Sequence, residues 1–290
     1  MQQLLPQSVR ASNRAVAEDN EHSTLGLVHL YGHARRAEIA RAIWPESSVR
    51  MAGKMAQRTV GRLLGRRQLV DIPNVLGGHS LVLATGGAAR LRACGIDARA
   101  GGDMSSITGP QFSHRMLGTC YLIERQVQGH NSFGEHAIAN GRAPVSRHEL
   151  ERRFHKLPDG LVLLPGVDRG YTGGLVADWI EVEASRKPDR ELRRILALAW
   201  EAGAWLDDAH TVMLDRVVFV YDDRHGHEKS ITNALQQYIL ARPPADPSLV
   251  LSSIALARCK IRTPLVWCGC EEVDGGTLLT SGKIRANVRK

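Results

Sequence analysis

No run of roughly 18 consecutive apolar residues occurs anywhere in the 290 residues, which excludes a membrane-spanning helix in the sequence. Residues 1–10 contain no apolar core of signal-peptide length, and polar residues follow them, which argues against secretion. Cysteine is sparse. Five scattered residues, an odd number, build no disulfide framework and suit a reducing compartment, so a cytoplasmic location is expected. There is no internal repeat, no low-complexity block, no heptad segment and no Ser/His/Asp set with defensible spacing. Hydrophobic residues at 43% and charged residues at 23% are the proportions of a soluble globular protein. The length allows one large domain or two ordinary ones.

The most telling absence is local. No acidic residue lies between Arg50 and Val70, and residues 51–100 hold six of the eight net positive charges of the chain. A surplus concentrated in this way is the electrostatic footprint of a polyanion-binding surface, whereas a diffuse one serves solubility. Within it Arg50, Lys54, Arg58, Arg62 and Arg66 recur at every fourth residue, which on an α-helix makes a slowly winding stripe. Met55, Ala56, Thr59, Val60, Leu63 and Leu64 have the spacing of the buried face of the same helix. Ser47 or Ser48 can cap its start and Gly65 can stop it.

The flanking segments place this helix third in a small module. Leu25–Tyr31 and Arg35–Trp44 read as two short helices, the second ended by Pro45. Gln68–Ile72 and Ser80–Ala84 are short apolar runs around Gly77-Gly78, the signature of a β-hairpin. Three helices and a hairpin predict a winged helix-turn-helix, whose third helix enters the major groove of duplex DNA. Arg50, Lys54, Arg58, Arg62, Arg66 and Arg67 would then contact phosphates or guanine, and Gln57 can read adenine. The competing reading is a winged-helix module used for protein contacts.

Residues 1–20 are polar and read as a flexible tail, residues 21–99 as the winged-helix module and residues 100–110, rich in Gly, Ser and Thr, as a linker. From 111 to 290 helices and strands alternate, an α/β (α+β) pattern. Helices are expected over Gln111–Gln126, Glu191–Leu206 and Ile231–Ala241. Strands are expected over Leu161–Leu164, Val176–Val182 and Arg216–Tyr221, with edge strands at Ile254–Cys259 and Leu265–Cys268.

One constellation in this half suits chemistry. Pro158-Asp159-Gly160 leads into one strand and Glu181-Val182-Glu183 closes the next, so Glu181 and Glu183 share a face and either can approach Asp159 across a hairpin. Two or three clustered carboxylates bind Mg²⁺, which activates water for phosphodiester cleavage. The bland alternative is that they pair with nearby Arg186, Lys187 or Arg190. Cys268-Gly269-Cys270 with Cys259 is too closely spaced for a zinc knuckle. His225-Gly226-His227-Glu228 sits in an expected loop, His114 reads as a capping or packing residue, and Gly86-Gly87 as the end of the hairpin.

Several short stretches together resemble the replication-relaxation family of plasmid and mobile-element proteins. They are the module over 25–84, Leu83-Ala84-Thr85-Gly86-Gly87-Ala88 running into Arg90-Leu91, His114, Leu157-Pro158-Asp159-Gly160-Leu161-Val162-Leu163, and Trp179-Ile180-Glu181-Val182-Glu183 before Leu192 and Ile195. The resemblance spans roughly residues 25–200. It implies a double-stranded DNA-binding accessory protein of plasmid replication, relaxation or conjugative transfer, with a relaxase or replication initiator as partner and a homodimer as a possible form. Its second domain would resemble the PD-(D/E)xK nuclease fold, the pattern mapping onto Asp159, Glu181 and Glu183, with Mg²⁺ held by Asp159, Glu181 and Glu124. That fold carries lysine where this chain has Glu183, and a carboxylate does not supply the positive charge that stabilises the transition state. Lys187 can serve only by reaching back. A non-catalytic domain is therefore expected, with DNA binding needing no cofactor. The alternatives are a Mg²⁺-dependent nuclease or nickase, and a transcriptional regulator whose second half senses a ligand or partner.

Overall fold

The computed structural model describes residues 12–184, 189–225, 227–241, 247–262 and 266–280. Arg186, Lys187, Gly226 and Leu265, all singled out above, lie outside the described residues, as does most of the expected tail. Helices and strands are mixed, in two units. Residues up to His29 with His33–Ile72 and His79–Gly102 form the first, and Leu30–Gly32, Pro73–Gly78 and the chain from Asp103 onward form the second. The last of these boundaries, after Gly102, falls within the Gly/Ser/Thr-rich segment 100–110.

In the first unit, helix α1 (Asn13–Tyr31) begins inside the stretch expected to be a tail. Its first turns bury little, and local polar contacts hold them: Ser12 Oγ accepts the Ala15 N–H at 3.2 Å, and Arg14 pairs with Glu18 one turn on at 3.0 Å. Helix α2 (Arg36–Ile43) follows, its first turn closed by Glu38, which accepts the Arg35 N–H at 2.8 Å. Helix α3 (Val49–Gly65) is capped by Ser48, whose Oγ accepts the Met51 N–H. It buries Ala52, Ala56, Thr59, Val60 and Leu63, the apolar spacing of its sequence. Strands β1 (Leu69–Pro73) and β2 (His79–Leu83) form the hairpin. Ala34, between α1 and α2, bridges to Leu81 of β2 through two backbone hydrogen bonds of 3.1 and 2.8 Å.

Gly86-Gly87 does not end the hairpin. These glycines open a further helix, α4 (Thr85–Ala93). A Cβ at Gly87 would stand 2.2 Å from the Gln68 carbonyl oxygen, so only glycine lets this helix start against the α3–β1 connection.

The second unit begins with α5 (Met104–Thr108), inside the expected linker, and α6 (Phe112–Val127). Then come β3 (Asn131–Gly134), α7 (Glu135–Ala139), α8 (Arg147–Phe154), β4 (Gly160–Pro165) and β5 (Leu175–Glu183). After α9 (Asp189–Leu198) and β6 (Val212–Asp222) follow α10 (His227–Ala241), α11 (Pro247–Ser252), β7 (Ile254–Arg262), β8 (Val266–Asp274) and α12 (Gly275–Thr280). The six strands β3 to β8 lie side by side in chain order, with parallel pairing at β5–β6 and β6–β7 and antiparallel pairing elsewhere. Strand β7 is thus an inner strand and not an edge.

Helix α6 lies close on one face, where Gly118 comes near Val182. On the other face Leu192, Ile195, Leu196, Ile231 and Leu235 join Trp179, Val217 and Phe219 in one buried cluster. Helix α9 stops at Leu198, well short of Leu206, because the chain turns through Gly203 in a left-handed conformation and Trp205 bridges to Met213. Strand β6 starts four residues before the expected position. Asp215 and Arg216 obscure its apolar alternation, and buried Arg216 is satisfied by Asp178 on β5. No helix among the described residues is long and apolar enough to cross a membrane.

Candidate nucleic-acid interface

The cationic row of α3 divides in two. Steps of four residues advance about 40° beyond a full turn, so the row drifts by about 160° from Arg50 to Arg66. At its N-terminal end Arg50, Lys54, Gln57 and Arg58 are exposed, and none of the three cations meets an acidic partner among the described residues. Val49 and Met51 stand beside them, 91% and 51% exposed. Arg67, exposed just past the helix, takes the left-handed conformation that terminates it, with φ 54°.

At the C-terminal end the drift carries Arg62 and Arg66 round to α1. There Glu21, 1% exposed, receives three arginines: Arg62 Nε at 2.7 Å, Arg66 Nη1 at 2.7 Å and Arg90 Nη1 from α4 at 2.8 Å. Burial pushes the Glu21 carboxyl up, but the hydrogen bonds from Arg62 and Arg90 and the charge of Arg66 outweigh it and hold it below the usual range. Arg62 and Arg66, expected to contact DNA, also tie the end of α3 to α1 through Glu21, which Arg90 of α4 shares. The open cationic surface is the first half of α3.

The carboxylates of the second unit are brought to neighbouring strands and then held apart. Asp159 sits just before β4, its N–H donating to Ile180 O at 2.9 Å. Its Oδ2 accepts the Val182 N–H at 2.7 Å, and its Oδ1 lies 3.0 Å from His114 Nε2 on α6. Glu181 points with Trp179 to the other side. It is fully buried, accepts Trp179 Nε1–H at 2.7 Å and pairs with Lys156 at 3.1 Å. Glu183 is 3% exposed. Mg²⁺ takes open carboxylate oxygens and retains several waters. Both carboxylates are already engaged by protein donors and Glu181 is closed to solvent, so this donor set does not fit the ion.

Glu124 does not join them. It lies ten residues beyond His114 on α6, about 15 Å along the axis, and receives Trp267 Nε1–H at 3.4 Å. Among the described residues no group of three His, Cys, Asp or Glu side chains is arranged to hold a metal. His227, placed in an expected loop above, is a buried residue opening α10.

No family model, curated protein or solved structure matches the chain. Glu21, Arg90 and Lys156 are the participants that sequence reasoning missed. Glu21 gave one available signal, an acid in an otherwise apolar register of α1 ahead of Thr24, Leu25 and Val28.

Proposed function

We propose that the chain is a sequence-directed, double-stranded DNA-binding accessory protein whose first unit is a winged helix and whose third helix enters the major groove. The observation that carries this reading is the open first half of α3: three exposed cations with no acidic partner among the described residues, and an amide, at the end of a recognition helix that contacts bases. Val49 and Met51 supply apolar surface suited to thymine methyl groups. The Ala34–Leu81 bridge, tying the α1–α2 connection to the hairpin, supports the winged-helix assignment.

In this reading the second unit is a PD-(D/E)xK-like scaffold. Its order α6-β3-α7-α8-β4-β5-α9-β6, with Asp159 just before β4 and Glu181 on the adjoining β5, supports the likeness, and the engaged state of both carboxylates supports a role other than cleavage. The resemblance to the replication-relaxation family supports a role in plasmid or mobile-element replication, relaxation or transfer, with a relaxase or a replication initiator as partner.

The test is duplex binding as a function of salt. Arg50→Ala/Lys54→Ala/Arg58→Ala is expected to flatten the slope of log affinity against log salt by about 3, since each neutralised phosphate contributes about 0.9. An unchanged slope and affinity in the folded triple variant overturns the proposal.

A further inference from the structure

The second unit holds a cationic cavity that the DNA-binding reading does not use. On α9 Leu192, Ile195 and Leu196 face the core, while Arg190, Arg193 and Arg194 stand on the opposite side at i, i+3 and i+4. Like charges at these spacings destabilise a helix by a few tenths of a kcal/mol per pair. Among the described lining residues only Glu191 is acidic, and Arg190 and Arg193 have no acidic partner among the described residues. The three arginines line a cavity of about 880 Å³ with Lys156, whose side chain is only 17% exposed. Arg194 is steadied by donating to the His155 carbonyl, next in sequence to Lys156. The far wall comes from α10, with Gln237 and the ring of Tyr238.

We infer that this cavity binds a nucleoside phosphate. Arginine forks match phosphate oxygens in pairs, which the point charge of a lone lysine does not. The volume lies within the roughly 300–1,000 Å³ of small-molecule sites, and a concave pocket of that size admits a nucleotide while excluding the rod of a duplex. The Gln237 amide offers a donor and an acceptor to a base edge. The same chemistry is presented by a free nucleotide and by the 5′-phosphate end of a DNA strand.

Both sources are tested by calorimetric titration of the full-length chain carrying Arg50→Ala/Lys54→Ala/Arg58→Ala, so that α3 contributes nothing. The probes are ADP, adenosine, and a short single strand with and without its 5′-phosphate. Binding of ADP at least tenfold tighter than adenosine assigns the cavity to free nucleotide. Binding of the strand only when 5′-phosphorylated assigns it to a strand end. In either case Arg190→Ala/Arg193→Ala, two exposed positions, is expected to weaken binding tenfold or more while circular dichroism stays unchanged and the melting temperature does not fall. No binding of any phosphorylated probe, or binding indifferent to that double substitution, overturns the inference. Because the three open α3 cations are absent throughout, failure here leaves the duplex-binding proposal standing, and failure there leaves this one.

Discussion

Single buried charges organise both units. Glu21 neutralises part of three arginines from two helices, and their side chains are 39%, 55% and 23% exposed, so solvent screens the pairs in part. Glu21→Gln is expected to cost about 1–3 kcal/mol, below the range for a fully buried pair. Its folded pKa is depressed below 4.5, so its contribution is present above that pH and is lost as pH falls through the folded value. Urea unfolding should therefore separate the two proteins at pH 6, and their curves should converge as pH falls below the folded value.

Arg216 is the counterpart in the sheet. It binds Asp178, fully buried, through both oxygens at 2.9 and 2.8 Å, and reaches Glu272 at 2.7 Å. Burial pushes the Glu272 carboxyl up, and the charges of Arg216 and Arg125 bring it below its ordinary value. Arg216→Met strands a buried charge and is expected to destabilise by about 3–5 kcal/mol, and adding Asp178→Leu should recover most of that. A double variant no more stable than Arg216→Met would show that the pair is not the source of the loss.

At the scale of elements, α3 shows how a stripe read as one surface becomes two. Drift along the helix gives its first half to solvent and its second half to Glu21. The exposed side also carries Gly53 and Gly61, where an added Cβ meets nothing within 4 Å. Glycine inside an exposed helix is less stable than alanine by about 0.5–1 kcal/mol. Gly53→Ala and Gly61→Ala should each raise stability by that amount in thermal or urea unfolding, and a loss at either position would mean that the helix interior is more constrained than its open surroundings indicate. Both the cationic row and the buried spacing of α3 were legible because they rest on contacts three and four residues apart. Helix α4 and the early start of α1 were not. The first depends on glycines approaching a distant carbonyl, and the second on polar contacts that leave no apolar period.

For the whole molecule, the net charge of +8 is carried mostly by one fifty-residue stretch, and a second cationic cluster lies on α9. The carboxylates that mark a nuclease-like pattern are consumed internally, Asp159 by His114 and Val182, Glu181 by Lys156 and Trp179. The full-length protein with Mg²⁺ or Mn²⁺ is therefore expected to leave supercoiled plasmid intact on agarose gels. Nicking by the purified chain that vanishes in Asp159→Ala would reverse the assignment of the second unit.

The sequence by itself determined a basic amphipathic helix among small helices and a hairpin, followed by alternating strands and helices, because periodicity and charge spacing act over one or two turns. Only the tertiary structure decided which arginines stay open. Glu21 is 41 residues from Arg62 and 69 from Arg90, and no local pattern joins them. It likewise decided where Asp159 and Glu181 point, since each is claimed by a donor, His114 or Lys156, brought in from outside the strand that the carboxylate belongs to or adjoins.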